Sequence, residues 1–152
     1  YKMSFADGVA LYGKYVGNWG GAATRWRFDA KNGDTVVKSV TLCPSHRLHL
    51  EVTPSATVLQ DGDTYDMAGV RVRILDENGS PAVYAQLPLT FAVTGAAALV
   101  GPAAATAEGG MGGTYLRTVG QTGIAALTVS APQCAPVTVE FTVTKKECAV
   151  WN

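Results

Sequence analysis

The stretch Gly-Val-Arg-Val-Arg-Ile at residues 69–74 sets apolar and polar side chains in strict alternation. Successive side chains of a β-strand point to opposite faces, so this order places three branched side chains on one face and two arginines on the other. An amphipathic helix would need apolar residues three and four positions apart instead. The stretch therefore predicts a half-buried strand of an antiparallel sheet.

The same period of two recurs on both sides of this strand. Branched or aromatic residues alternate with polar ones over residues 48–53, 89–94 and 137–144. Such residues pack well on the pleated surface of a sheet. In contrast, no long segment has the spacing of an amphipathic helix. The fold class that this pattern predicts is all-β.

Turn signals separate the predicted strands. Asn32-Gly33, Asp61-Gly62 and Asn78-Gly79 each offer residues that tolerate the positive φ of tight hairpin turns. From residue 48 onward, strands and turns recur at the roughly 8–12-residue spacing of a β-sandwich. We therefore predict an immunoglobulin-like β-sandwich of about seven strands over residues 47–146, with a tail at 147–152.

An alanine-rich stretch at residues 96–107 is the ambiguous part of this sandwich. Alanine favours helix, but Gly101 and Pro102 interrupt the run, and proline removes a backbone donor that a helix needs. We expect an irregular crossing with one short strand here.

The first 46 residues form an additional strand-rich N-terminal segment in this interpretation. Strands are expected at residues 9–16, 24–30 and 35–42, and three strands rarely make an independent core. The segment is therefore expected to pack on the sandwich or to complete a preceding domain. Aromatic side chains are concentrated in it, namely Tyr12, Tyr15, Trp19, Trp26 and Phe28.

Composition and charge exclude several classes of partner. The chain has 47% hydrophobic and 16% charged residues, which is enough apolar material for a packed core. Twelve basic residues balance twelve acidic ones, and this argues against nucleic acid and acidic membranes as partners. No apolar run reaches the roughly 20 residues that span a bilayer. The first residue is Tyr1 and not Met, so we expect a processed or excised piece of a longer polypeptide.

One acidic cluster has the chemistry of a calcium site. Asp61, Asp63 and Asp66 offer several carboxylate oxygens within one loop. They lack the later bidentate glutamate of an EF-hand, and Asp-Gly is common in simple polar turns. A polar turn before a strand is the preferred interpretation, and no metal site is predicted here.

The cysteines suggest a zinc set only superficially. Cys43, His46, Cys134 and Cys148 have suitable ligand types, but the last pair lies too far apart for the short knuckle of most zinc sites. One disulfide with a spare thiol and three reduced thiols both remain open. We therefore predict no metal and no cofactor.

Catalytic motifs are missing as well. No nucleophile elbow accompanies a histidine base, and no pair of carboxylates stands out for glycoside hydrolysis. The glycine-rich residues 109–113 resemble a phosphate loop, but no Lys-Ser or Lys-Thr pair follows them. We expect a flexible connection between strands there, and no catalytic residue.

The N-terminal aromatic residues are the candidates for substrate binding. Tyr12, Trp19 and Trp26 have rings that could stack on the apolar faces of sugars. Aromatic residues also dominate contacts between domains, and packing is the preferred interpretation.

Several stretches resemble one protein family over nearly the whole chain. Residues 7–21 (Asp-Gly-Val-Ala-Leu-Tyr-Gly-Lys-Tyr-Val-Gly-Asn-Trp-Gly-Gly) resemble the segment entering the C-terminal region of family 2 glycoside hydrolases of the bacterial β-galactosidase type. The immunoglobulin-like domain that follows in that family is similar to residues 51–55 (Glu-Val-Thr-Pro-Ser), 61–66 (Asp-Gly-Asp-Thr-Tyr-Asp), 70–79 (Val-Arg-Val-Arg-Ile-Leu-Asp-Glu-Asn-Gly), 109–115 (Gly-Gly-Met-Gly-Gly-Thr-Tyr) and 122–128 (Thr-Gly-Ile-Ala-Ala-Leu-Thr).

The resemblance implies a non-catalytic accessory domain that braces the catalytic barrel or the assembly of a glycosidase. In that family the catalytic glutamates lie on a barrel domain, and no position here matches their motifs. The implied partners are the catalytic and neighbouring domains of the parent chain, with a homo-oligomer and a carbohydrate as further options. A carbohydrate-binding module and an adhesin-type surface repeat are the alternative functions. Cytoplasmic and exported locations are both compatible with a bacterial enzyme of this type.

Overall fold

The computed structural model describes residues 2–17, 24–44 and 46–146, which belong to two compact units, Tyr1–Ser45 and His46–Asn152. We call them the N-terminal unit and the sandwich unit. The N-terminal unit contains α1 (Phe5–Tyr15), β1 (Trp26–Asn32) and β2 (Thr35–Leu42). The sandwich unit contains β3 (Leu48–Pro54), β4 (Val58–Asp61), β5 (Met67–Asp76), β6 (Pro88–Gly95), β7 (Ala97–Val100), β8 (Ala104–Thr106), β9 (Met111–Thr118), β10 (Gly123–Ser130) and β11 (Val137–Lys145).

Two sheets make up the sandwich unit. One has the strand order β4-β11-β10-β6-β8, and the other has the order β3-β5-β9-β7. All pairings are antiparallel except that of β4 with β11, which is parallel. Buried side chains from both sheets form one hydrophobic core. The all-β sandwich predicted from the sequence is confirmed.

Strand β5 has the buried and exposed faces that the alternation of residues 69–74 predicted. Val70, Val72 and Ile74 are at most 3% exposed on β5, whereas Arg71 is exposed on the opposite face. Leu89 and Phe91 on β6 and Phe141 and Val143 on β11 are buried in the same way. The period of two therefore identified the core-facing side of these strands correctly.

The described part of the sandwich unit has nine strands, so the prediction of about seven was too low. The difference comes from short strands. Residues 96–107, where one short strand was expected, contain both β7 and β8, separated at Gly101 with φ +110°. These two strands join different sheets, so the stretch crosses from one layer to the other.

The glycine-rich stretch at residues 109–113 is not the flexible connection that we expected. Its second half begins β9, and a Cβ on Gly113 would lie 2.5 Å from the Val70 carbonyl oxygen. Gly110 has φ +75°, and a Cβ there would lie 2.5 Å from the Ala82 carbonyl oxygen. Glycine is needed at these positions because neighbouring backbone approaches so closely.

The N-terminal unit contains a helix where a strand was predicted over residues 9–16. Ser4 caps α1 in a capping box with Asp7, and the Asp7 amide donates to the Ser4 hydroxyl at 3.2 Å. The strands predicted over residues 24–30 and 35–42 are confirmed as β1 and β2, which form a hairpin. The strand-rich segment is thus a helix followed by a two-stranded ribbon. None of the helices in the described residues has the length and apolar character that a membrane crossing requires.

Candidate functional site

The hairpin of the N-terminal unit is amphipathic. Cross-strand pairing sets Trp26 opposite Leu42 and Phe28 opposite Val40, so all four side chains share one face. Each of them remains 40–56% exposed. We call these four residues the ribbon face.

The opposite side of the hairpin is polar, and side chains on it form hydrogen bonds with one another. Arg27 donates to the Asp29 carboxylate at 2.8 Å, and the Ser39 hydroxyl donates to the same oxygen at 2.6 Å. The Ser39 hydrogen bond, followed by the one from Arg27, lowers the pKa of Asp29. Water therefore suits this side of the hairpin, whereas the ribbon face is suited to an apolar partner.

The predicted aromatic candidates do not form one platform on a strand. Trp26 lies on the ribbon face, but Tyr12 lies on α1, where it is 53% exposed. Trp19 lies outside the described residues. No described residue of α1 is buried, and Phe5 at its start is 90% exposed. The helix therefore adds further apolar surface to that of the hairpin.

A second surface, not predicted from the sequence, lies on the solvent side of the sheet formed by β3, β5, β9 and β7. A groove of about 450 Å³ opens there over the middle of β5 and the beginning of β9. We call it the outer groove; the residues that define it are Thr53, Ser55, Gly69, Arg71, Gly113 and Tyr115.

Glycines create the outer groove. Gly69 pairs with Tyr115 and Gly113 pairs with Arg71, so two positions of this sheet face lack side chains. The Tyr115 ring extends over the vacant position, because a Cβ on Gly69 would lie 3.3 Å from its Cε1 atom. Tyr115 is nevertheless 58% exposed. The ring thus has support on one side and solvent on another.

The two arginines of β5 differ in their electrostatic surroundings. Arg73 donates to the Glu51 carboxylate through Nε at 2.9 Å and through Nη2 at 2.6 Å. This hydrogen bonding is the main reason that the pKa of Glu51 is lowered. Arg71 makes no hydrogen bond or ion pair through its side chain with the part of the chain that the structure describes. Arg71 lines the outer groove with its hydrogen-bond donors unused, while its charge also helps to lower the pKa of Glu51.

The acidic loop serves a structural purpose. Asp61 is 3% exposed and accepts hydrogen bonds from the Gly120 amide at 3.2 Å and Lys145 Nζ at 3.3 Å. Asp66 accepts from the amides of Gln60 and Met67. Across residues 2–17, 24–44 and 46–146, no group of three or more His, Cys, Asp or Glu side chains is arranged to hold a metal ion.

The cysteines of the zinc hypothesis belong to different parts of the chain. Cys43 belongs to the N-terminal unit and Cys134 to the sandwich unit, while Cys148 lies outside the described residues. Cys134 packs against the core as a free thiol, and burial raises its pKa. Cys134 therefore acts as a small apolar residue.

We predict that Asp61 makes the stability of the sandwich depend on pH. Hydrogen bonding with Thr118, and then with Gly120 and Lys145, lowers its pKa against the opposing effect of burial. A carboxylate with a lowered pKa in the folded state contributes stability above its ordinary pKa, and this contribution is lost as the pH falls through the folded value. Asp61→Asn should therefore lower the urea midpoint near neutral pH, and the difference should shrink below about pH 4.

The matched control is Asp34→Asn, which changes an exposed carboxylate in the hairpin turn. It should leave the urea midpoint nearly unchanged at both pH values. A deficit for Asp61→Asn that stays constant between neutral and acidic pH would contradict this account.

The structure thus contains a β-sandwich unit that carries the outer groove and an N-terminal unit that carries the ribbon face. The sequence identifies the sandwich unit further, because residues 50–140 match glycoside hydrolase family 2 C-terminal domain 5. The chain therefore belongs to this family of C-terminal domains. No curated protein matches the chain.

Solved structures share the fold. A β-glycosidase from Bacteroides vulgatus superposes with a TM-score of 0.64 at 16% identity, covering 80% of this chain and 18% of that protein. A glycosyl hydrolase family 2 member from Bacteroides cellulosilyticus gives 0.62 at 15% identity, with 80% and 17% covered. A β-glucuronidase from glycoside hydrolase family 2 gives 0.62 at 16% identity, with 82% and 14% covered. This chain thus spans less than a fifth of the length of each of these proteins.

Proposed function

We propose that this chain is a non-catalytic domain that braces the catalytic domain of a family 2 glycosidase. Family membership over residues 50–140 supports this function. Two of the partly or fully buried carboxylates have structural partners, since Glu51 binds Arg73 and Asp61 binds Lys145. The substrate that we propose for the parent enzyme is a β-glycoside. A substrate specificity of the β-galactosidase type is a prediction from the resemblance.

The uncovered ribbon face is the observation that carries the bracing function. A two-stranded ribbon is at best marginally stable alone in water. Here its four apolar side chains remain 40–56% exposed. Fully burying a side chain such as Phe or Val contributes about 1.5–3 kcal/mol. A partner surface that covers the ribbon face would therefore stabilise both the hairpin and the partner.

We assign this partner to a neighbouring domain of the same polypeptide. The chain covers only 17% of a solved glycosyl hydrolase family 2 member and 18% of a solved β-glycosidase, so most of an enzyme of that size lies outside it. A domain linked in the same chain also meets the ribbon face at a high effective concentration. Neighbouring domains of the parent are therefore the proposed occupants of the ribbon face.

The carbohydrate-binding alternative, with Tyr12, Trp19 and Trp26 as stacking residues, is less well supported. Trp26 shares its face with Phe28, Val40 and Leu42. Among these four side chains only the Trp26 indole N–H can donate a hydrogen bond to a sugar hydroxyl. Such a largely apolar face is typical of packing between domains. The adhesin-type repeat has no comparable observation in its favour.

Substitution of the ribbon face should separate these functions. In the complete polypeptide that encodes this chain, Phe28→Thr combined with Val40→Thr should destabilise the enzyme by about 2 kcal/mol or more, because two apolar contacts are lost. In the 152-residue chain alone the same pair should change stability by less than about 0.5 kcal/mol, since both side chains are already exposed. Urea unfolding of the two proteins measures both effects.

The control is Arg27→Thr combined with Thr41→Ser, a cross-strand pair on the polar side of the hairpin. It should have equally small effects in both proteins. An equal effect of the apolar pair in both contexts would contradict bracing through the ribbon face. Concentration-dependent association of the isolated chain would assign the ribbon face to a second copy, and sugar binding lost with Trp26→Ser would assign it to carbohydrate.

A further inference from the structure

We propose that the outer groove binds a saccharide that carries a carboxylate, such as a uronic acid residue. The inference concerns the sandwich unit and is independent of the bracing contact proposed for the hairpin. The outer groove has a volume of about 450 Å³, which falls within the roughly 300–1,000 Å³ of ordinary ligand sites. Three kinds of group meet there: an aromatic ring, a guanidinium and side-chain hydroxyls.

The ring provides the apolar part of the site. The ring of Tyr115 extends over Gly69, which has no side chain to occupy that position. Tyr115 is 58% exposed. Most of the apolar surface of a sugar lies on one face of its pyranose ring, where C–H bonds are grouped. An aromatic ring that is supported by the sheet and open to water is suited to contact that face at little entropic cost.

The guanidinium provides the charge selectivity. Arg71 lies diagonally across the β5–β9 pairing from Tyr115, since it pairs with Gly113 two residues earlier on β9. The neighbouring Glu51 is already held by Arg73 through two hydrogen bonds. Arg71 therefore keeps its donors for a ligand, and an arginine fork matches a carboxylate in a bidentate manner.

Hydroxyl groups complete the polar lining. The Ser55 hydroxyl accepts a hydrogen bond from the Gly69 amide at 3.0 Å, so its own hydrogen remains to be donated. Thr53 lies beside Arg71 across the β3–β5 pairing, and its hydroxyl donates to Glu51 Oε1 at 3.5 Å, so it can accept a hydrogen bond from a ligand. Both hydroxyls line the outer groove within reach of a small ligand. Sugar hydroxyls can both donate to and accept from such groups.

Titration of the 152-residue chain with D-glucuronate and D-galacturonate, followed by amide NMR, tests the proposal. Saturable shifts at Ser55, Gly69 and Gly113 should report dissociation constants on the order of 1–10 mM, as for a small ligand with few contacts. D-Glucose and D-galactose should bind at least about fivefold more weakly, since they lack the charge-assisted hydrogen bonds. Acetate should not reproduce the shifts, because it has no pyranose face for Tyr115.

Three variants decide the outcome. Arg71→Gln should reduce uronate affinity to that of the neutral sugars, and Tyr115→Thr should abolish binding of both classes. Arg117→Gln is the matched control, because it removes an exposed arginine from the adjacent strand β9, beside Tyr65 and outside the residues that line the groove. Unchanged uronate binding in Arg71→Gln would overturn the proposal. So would a lack of saturable binding, or binding of acidic peptides at this face without binding of uronates.

Discussion

Gly95→Ala is expected to destabilise the sandwich unit by about 2–5 kcal/mol, the sum of a backbone cost and a steric cost. Gly95 ends β6 with φ +85°, a conformation that costs a residue with a Cβ about 1–2 kcal/mol. A Cβ at this position would also overlap the Ile124 carbonyl oxygen and contact the Ala125 Cα at 3.0 Å. Relief of the overlap requires the backbone of β10 to move, and such shifts typically cost about 1–3 kcal/mol.

Gly79→Ala provides a control that separates the two costs. Gly79 has φ +78°, and a Cβ there would have nothing within 4 Å. Its replacement should therefore cost only the backbone part, about 1–2 kcal/mol. Urea unfolding followed by far-UV circular dichroism gives both free energies. Equal losses for Gly95→Ala and Gly79→Ala would show that β10 yields to the added Cβ without a measurable cost.

The sandwich was predictable from the sequence because its strands have one solvent-exposed face and one buried face. Arg71 between Val70 and Val72 is enough to assign both the strand and its buried side. Short strands such as β7 and β8 were harder to predict, since stretches of four and three residues contain too little alternation. Their sheet membership depends on partners far along the chain.

The helix α1 was mispredicted because a local signal was overlooked. The β-branched and aromatic residues of the segment favour a strand, and Gly8 and Gly13 weaken a helix. Ser4 followed by Asp7 is a capping pattern, however, with the acidic residue at the third helical position. This capping pattern alone predicts a helix that begins at Phe5.

The outer groove could not be predicted at all from the sequence. It requires Gly69 to lie opposite Tyr115 and Gly113 to lie opposite Arg71, and this depends on the register between β5 and β9. These strands are separated by more than thirty residues in the chain. The sequence shows that Arg71 faces solvent, but it does not show that Arg73, two residues later, takes the nearby carboxylate of Glu51.

Phe141→Ala is the core substitution with the largest expected effect, a loss of about 3–5 kcal/mol. Phe141 is 1% exposed on β11 and is the largest of the fully buried side chains in the described residues. It pairs across the sheet with Ala125, which in turn pairs with Gly95, so the small residues of this row leave room for its ring. Removal of the ring would leave a cavity that neither small neighbour can fill.

Phe28→Ala is the matched comparison, because Phe28 is also a strand phenylalanine but is 56% exposed on the ribbon face. Its replacement should change the stability of the isolated chain by no more than about 0.5 kcal/mol. A typical domain has only about 5–15 kcal/mol of stability, so Phe141→Ala should lower the urea midpoint strongly while Phe28→Ala leaves it in place. Comparable losses for the two variants would mean that the ribbon face is already covered within this chain, and the bracing contact with a neighbouring domain would then lose its basis.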